Sequence, residues 1–445
     1  MKKLLPTLPS RLLPASLLLL LACTRQEPTP TDYYLAYADY RPLFMTRAVL
    51  EGSVAALPAQ ALHHPGKIYL SGDYLFINER YEGIHIVDNR DPAHPQPVSF
   101  LRIPGNVDLA TQGTVLYADN GPDLVAIDIS DPAHAHQLSR TRNAFRELPM
   151  PVAGVLEDAC QPINRPTDAL VVGWRKLAPG EAAPVKIYNY RSSGGVFYST
   201  TAVLNSAAPA ALGESGKAGS TARFCILNQT LYTVDEQSLR SFSLQSPTAP
   251  TAGPVVQLGF GIETIFPHDH YLFLGSQTGM FIYDATTAAS LRYTGGISHV
   301  YSCDPVVVDG NFAYVTLRST AEGSNGSASI TRNIFTCGGS TQTNELDVVD
   351  ISNPAQPRQV RIYPMSGPLG LGAENGRLYV CDDGLKVFDT TKAPALTQVQ
   401  QLSARLTDVI PNGDYLLAVG PGGLYQYAVS GPAMRQVSVL PIMAD

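Results

Sequence analysis

Charge is scarce in this 445-residue sequence. Asp, Glu, Lys and Arg together make up 16% of it, and the net charge is −7. A surface so poor in Lys and Arg, with an acidic balance, excludes nucleic acid as a partner, because phosphate recognition needs a basic face. Long apolar runs are missing too. After the N-terminal segment no stretch of 18 or more apolar residues occurs, so no further membrane span is expected. Linear enzyme signatures are absent: there is no G-x-S-x-G, no H-E-x-x-H and no phosphate-cradling glycine loop. No catalytic residue, cofactor or metal site is therefore assigned from motifs.

What is present begins with an address. Lys2 and Lys3 precede an apolar stretch ending "SLLLLLAC", the layout of a secretory signal. Pro9 and Pro14 interrupt it, and it is too short for a stable spanning helix. Leu20-Leu21-Ala22-Cys23 resembles the bacterial lipobox, which implies acylation of Cys23 and anchoring through buried methylenes. Residues 1–22 read as the signal peptide and 23–44 as a polar, Pro-containing tether, leaving 45–445 as the globular part. Removal of Lys2, Lys3 and Arg11 takes the charge from −7 to −10. The expected location is the bacterial cell envelope, lipid-anchored at the outer membrane or cell surface, with the lipid as the one membrane contact.

The whole sequence has 37 Gly, 35 Pro and more Tyr than Phe, 22 to 14, a turn-rich all-β composition. Two linked signals recur. A turn with an aliphatic–aromatic pair appears as "SGDYLFIN", "TQGTVLYA", "LNQTLYTV", "PHDHYLFLG", "VDGNFAYVT", "ENGRLYVC" and "NGDYLLAV". A strand closing on a polar residue follows as "GIHIVD", "DLVAID", "SLRSFS", "GMFIYD", "ELDVVD", "GLKVFD" and "GLYQYA". A degenerate unit, "TDALVVGW" with "VKIYNY", lies between the second and third. The closing positions are Asp88, Asp128, Asn189, Ser243, Asp284, Asp350, Asp389 and Ala428. A period of about 40 residues with four short strands is the signature of a β-propeller blade. In "GMFIYD" both faces are apolar, as a blade packed between two neighbours requires. Eight blades are expected, with seven open because the third unit is degenerate.

The units "GIHIVDNRDPAHP", "DLVAIDISDPAHA" and "ELDVVDISNPAQP" resemble the LVIVD repeat of secreted and surface-attached bacterial propellers. Together with the lipobox, "GNVDLA", "SCDPVVVDGNFAYVTLRS" and "GLKVFD", the chain is similar to lipid-anchored LVIVD proteins of the Bacteroidetes over residues 40–430. The resemblance implies fold and compartment. It carries no catalytic motif, and propellers host binders and enzymes alike.

The recurrent acids, including Asp88, Asp128, Asp350 and Asp389, are expected to bond into their own turns. They recur once per blade and are too far apart to share a substrate. With strands lettered A to D from the axis outward, the A–B and C–D turns are short and uniform and share one face. The longer connections fall on the other: 140–150, 175–184, 207–220 and 318–344. One elaborated face over a uniform scaffold suits a binding surface. Its candidate ligand residues lie at B-strand ends: Arg80, Asp119, Arg175, Asp235, Gln277, Arg318 and Asp382. Such a mixed-charge ring suits a glycan or a peptide of an envelope protein. "HDH" at 268–270 is a weak metal pattern in a short turn. Five cysteines follow Cys23, an odd number that leaves at least one free. A Cys303–Cys337 bridge would pin the 318–344 insertion; two free thiols are the alternative. The sequence thus reads as a monomeric, lipid-anchored binding module with a glycan or cell-envelope protein as ligand. A polysaccharide-active lyase or glycosidase on the same face remains the alternative.

Overall fold

The computed structural model describes residues 40–148, 160–162, 165–178, 180–181, 185–187, 215–259, 261–299, 305–318, 343–431 and 433–443. Helix is confined there to one short α-helix, Arg47–Glu51, and two single 3-10 turns. Six four-stranded antiparallel sheets and one six-stranded sheet make seven blades. They span residues 65–102, 109–141, 224–257, 262–298, 306–364, 371–402 and 408–441. Every blade is continuous in sequence. The A strands follow one another around an axis, and that of blade 7 lies beside that of blade 1. The ring is a closed, seven-bladed propeller.

Each blade is dry on both faces, as the repeats predict. Met280 and Ile282 pack toward blade 5 among Phe273, Val306 and Val315. Phe281 and Tyr283, on the other face of the same strand, pack toward blade 3 beside Tyr232 and Leu239. The apolar strands are the inner ones. The outer strand of blade 5, Arg358–Pro364, is exposed at six of seven positions. Burial therefore runs as a gradient from axis to rim.

The uniform turns carry the joints between blades. Each turn acid accepts an N–H two residues on: Asp88 from Arg90 at 3.1 Å, Asp128 from Ser130 at 2.8 Å, Asp350 from Ser352 at 3.0 Å and Asp389 from Thr391 at 2.8 Å. These acids shape the turn. The proline that follows presents its carbonyl to the preceding blade. Ser99 of blade 1 donates to Pro132 O at 2.6 Å, and Tyr117 of blade 2 to Pro247 O at 3.0 Å. Tyr363 of blade 5 donates to Pro394 O at 3.1 Å, and Ser438 of blade 7 to Pro92 O at 2.7 Å. Between blades 4 and 5 the contact is backbone to backbone: a Cβ on Gly295 would stand 2.3 Å from Pro354 O.

Ring closure uses the same joint rather than a shared strand. Besides Ser438, blade 7 sends Gln426 to Asn89 of blade 1 at 2.6 Å. The apolar seam beneath joins Ile68, Leu75 and Val87 to Ile410, Leu417 and Leu424. Leu62 and Ile442 form a parallel bridge across the chain ends, and Met443 N–H donates to Leu62 O at 2.7 Å.

The count resolves to seven because the degenerate third unit is no blade. Its strand Ala169–Lys176 pairs with Tyr40–Thr46, and Val185–Ile187 pairs with Cys160–Pro162. The A strand of blade 2 lies directly beside that of blade 3. "VKIYNYRSSGG" lacks the turn acid and proline that make the joint. The Tyr40–Thr46/Ala169–Lys176 ribbon caps the elaborated face above blades 1 and 2. There Gly173 lies against Tyr81, and Val172 lies against Gly105 and Gly121. Its first strand begins at Tyr40, within the stretch expected to be tether.

A second departure concerns the 207–220 insertion, expected on the elaborated face. Its described end runs along the propeller axis. Ser215 bridges Gln112 and Lys217 pairs with Glu374, both at the uniform-turn end. Lys217–Ala218 adds to the inner edge of the blade 1 A strand. Ser220 and Thr221 then donate to Asp408 at the opposite end, both hydroxyls within 2.9 Å, before the chain enters blade 3. Residues 215–223 are an axial plug touching blades 1, 2, 6 and 7. Glycine is required in it, since a Cβ on Gly216 would meet Tyr69 at 2.2 Å and Leu70 O at 2.6 Å. Gly216→Ala is expected to destabilise the fold by about 1–3 kcal/mol through overpacking. Gly367→Ala, where nothing lies within 4 Å, should leave the thermal midpoint unchanged. Calorimetry of both variants checks the pair.

Candidate ligand-binding face

The B strands end on the elaborated face, and several end in an acid. Glu79 Oε2 accepts the His63 N–H at 3.1 Å, Oε1 accepts the His64 N–H, and His85 Nε2 lies 3.0 Å from Oε2. Asp382 accepts Ser366 N–H at 3.0 Å, Gly367 N–H at 2.7 Å and the Lys386 ammonium at 2.6 Å. Asp119 Oδ1 accepts Val107 N–H at 2.8 Å, Asp108 N–H at 3.1 Å and Asn106 Nδ2 at 2.7 Å. In all three blades the acid latches the incoming loop to its own blade. A buried carboxylate with such partners favours this geometry, since unpaired backbone N–H groups are costly.

The latch explains much of the candidate ring. Asp382 is consumed structurally, as is Glu79, the neighbour of candidate Arg80. Asp235 closes its own turn, accepting Gln237 N–H at 2.9 Å and Ser238 N–H at 2.7 Å. Gln277 donates to Glu263 at 3.1 Å, and Arg318 of the next blade, its pKa lowered by burial, feels the same carboxylate. Arg175 is not at a blade strand end. It sits on the capping ribbon and pairs with Glu181 at 2.7 Å. The seven candidates therefore do not form one ring. Asp119 and Asp235 do meet, in a cleft between blades 2 and 3.

The cleft has a volume of about 100 Å³. Asp108, Asp119, Arg223, Phe224, Val234 and Asp235 form its ring side, and Phe145, Arg146, Glu147 and Leu148 of the blade 2 exit loop its other wall. Phe145 is set by its contacts with Phe224 and Phe242, ring centroids 5.5 and 5.9 Å apart. Glu147 is held by Arg165 at 2.6 Å and Val171 N–H at 2.7 Å. Arg146 donates to Gln237 at 3.0 Å, tying the wall to blade 3. On the ring side, Asp108 pairs with Lys67 at 2.7 Å and accepts the N–H groups of Arg223 and Phe224. Burial lowers the Lys67 pKa, although Asp108 opposes the shift.

Asp119 differs from the other latches. Glu79 and Asp382 use both carboxylate oxygens, whereas Asp119 Oδ2 has no partner among the described residues. The residue is 7% exposed and lines the cleft, and burial raises its pKa to about 7. Arg223 lines the same cleft, half-buried, and its guanidinium has no hydrogen bond or ion pair among the described residues. Sequence reasoning missed Arg223 because it opens an A strand, not a B strand. Its signal was position: it aligns with Lys67 and Asp108, which open the A strands of blades 1 and 2.

The remaining sequence candidates fall elsewhere. His268 ends an A strand and Asp269 occupies the A–B turn at φ 53°, on the uniform face. Cys225 and Cys381 are buried, unbridged and raised in pKa by burial. Cys23, Cys303 and Cys337 lie outside the described residues.

Fold and turns together define a seven-bladed β-propeller carrying LVIVD repeats. The family model described as "LVIVD repeat" matches residues 65–99, 108–139 and 340–364, which are blade 1, blade 2 and the outer half of blade 5. No curated protein matches the chain. Among solved structures, a protein from Lactobacillus plantarum is 11% identical, covering 88% of this chain and 97% of its own, with a TM-score of 0.50. The periplasmic gluconolactonase PpgL of Pseudomonas aeruginosa is 12% identical, covering 88% and 98%, with a TM-score of 0.49. The Lactobacillus likeness is one of fold alone.

Two outcomes follow from the latches. Asp382→Ala strands the Lys386 ammonium and two N–H groups, and is expected to cost about 3 kcal/mol in a denaturant titration. For Asp119 the folded pKa lies above the unfolded one, near 3.9. The folded state then binds the extra proton between pH 4 and about 7, so stability falls as pH rises through that window. Asp119→Asn keeps the Oδ1 acceptor and removes the titration. The difference in melting temperature between pH 5 and pH 8 should be smaller in the variant than in the parent.

Proposed function

We propose that the protein is a lipid-anchored, extracytoplasmic binding module that captures a glycan on its capped face without turning it over. The observation that carries this reading is the cleft between blades 2 and 3. It combines a carboxylate oxygen and a guanidinium that have no partner among the described residues with an aromatic wall. Polar groups with both donor and acceptor capacity beside an aromatic ring match the hydroxyls and the C–H face of a sugar. The other face supports no comparable reading, because its turns are spent on the joints between blades. Acylation of Cys23 would hold the monomer at the bacterial outer membrane or cell surface. An envelope protein as ligand, or a polysaccharide-active enzyme, are the readings the test must exclude.

Fatty-acid labelling should mark the full-length protein, and Cys23→Ser should move it from the membrane to the soluble fraction. On a glycan array the protein should retain saccharides that stay intact by mass spectrometry after overnight incubation. Shortened products would establish the enzyme instead. Retention of envelope proteins with no glycan bound would replace the ligand class.

A further inference from the structure

We infer that the cleft between blades 2 and 3 takes a uronate unit of an acidic saccharide, with Arg223 pairing the sugar carboxylate and Asp119 Oδ2 bonding a ring hydroxyl. The inference rests on the glycan reading and specifies its ligand. It starts from two unspent groups in a neighbourhood where the others are spent. Lys67 and Asp108 satisfy each other, Glu147 is held by Arg165, and Asp235 closes its turn. Arg223 and Asp119 Oδ2 line the same small cavity with no partner among the described residues. Asp119 is 7% exposed, so its free oxygen meets the cavity rather than bulk water.

The charge pattern selects the ligand. A planar guanidinium matches a carboxylate with two parallel hydrogen bonds. Yet Asp235 and exposed Glu236 stand on the same cleft, and they repel a second anionic charge. A phosphorylated or sulfated polyanion is thereby disfavoured, while a single carboxylate flanked by hydroxyls is accepted. A hydroxyl can donate to Asp119 Oδ2 when the acid is ionised and accept from it when protonated. Phe145, fixed against Phe224 and Phe242, offers its ring to the C–H face of the sugar.

The test compares three probes on the immobilised full-length protein: trigalacturonate, maltotriose and a tripeptide with a free C-terminal carboxylate. Trigalacturonate is expected to bind, and Arg223→Gln to weaken it about tenfold or more. Arg223→Lys should lose affinity as well, since a point charge does not replace the fork. The Arg223 side chain makes no bond within the described fold, so a melting curve matching the parent should accompany the loss. Asp119→Asn keeps the latch and still offers a hydroxyl a hydrogen-bonding partner without the negative charge, so it should hold trigalacturonate at least as well as the parent. Trigalacturonate binding untouched by Arg223→Gln, or abolished by Asp119→Asn, would overturn the inference. So would binding of maltotriose at equal strength, which would leave the glycan reading standing. Binding of the tripeptide alone would overturn both.

Discussion

The structure depends on backbone carbonyls at the rim of the uniform turns, where a proline C=O makes four of the seven joints between blades. The turn acid shapes the bend, and the following proline, which has no N–H of its own, offers its C=O to the preceding blade. Ser99, Tyr117, Tyr363 and Ser438 each donate to such a carbonyl. This bond fixes the angular offset between blades while apolar packing supplies most of the energy. It also closes the ring, because the Ser438–Pro92 contact joins the last blade to the first as though they were consecutive. Propeller closure here needs no strand borrowed from the other terminus.

The same logic organises the elaborated face. Carboxylates at the B-strand ends of blades 1, 2 and 6 bind the N–H groups of the incoming loops, so these three blades carry their own entrance latches. Once Asp382 is recognised as a latch, it leaves the pool of ligand residues. What remains is small and local: an oxygen of Asp119 that its latch does not use, and the guanidinium of Arg223 on the same side of the cleft. The exit loop through Leu148, held in turn by Val171 and Trp174 of the capping ribbon, gives that spot depth.

Much of the fold was legible in the sequence because propeller blades are written in tandem. "GIHIVD" and "DLVAID" state the strand, its two apolar faces and its turn acid within six residues. The role of Asp88, Asp128, Asp350 and Asp389 was legible for the same reason, since residues repeated once per blade cannot converge. The blade count was less so. "TDALVVGW" has the composition of a propeller strand, and only its partner, Tyr40–Thr46, shows that it left the ring. The plug was hidden because "GESGKAGSTA" has the composition of a loose surface loop. Small residues serve equally for a mobile loop and for an axis that admits no Cβ, as at Gly216 and Gly219. The site was half legible. Asp119 and Asp235 were found as strand ends, but whether such an acid is spent or free depends on partners distant in sequence.

The axial segment has a further consequence, for the order of assembly. Residues 215–223 lie after blades 1 and 2 in the chain and before blades 3 to 7. As the chain emerges from synthesis, the segment can settle on the inner strands of the first two blades while the disc is still an open arc. Blades 6 and 7 arrive last and bring Glu374 and Asp408, which grip its two ends. Chain order thus lets the disc close around the segment without threading a finished ring.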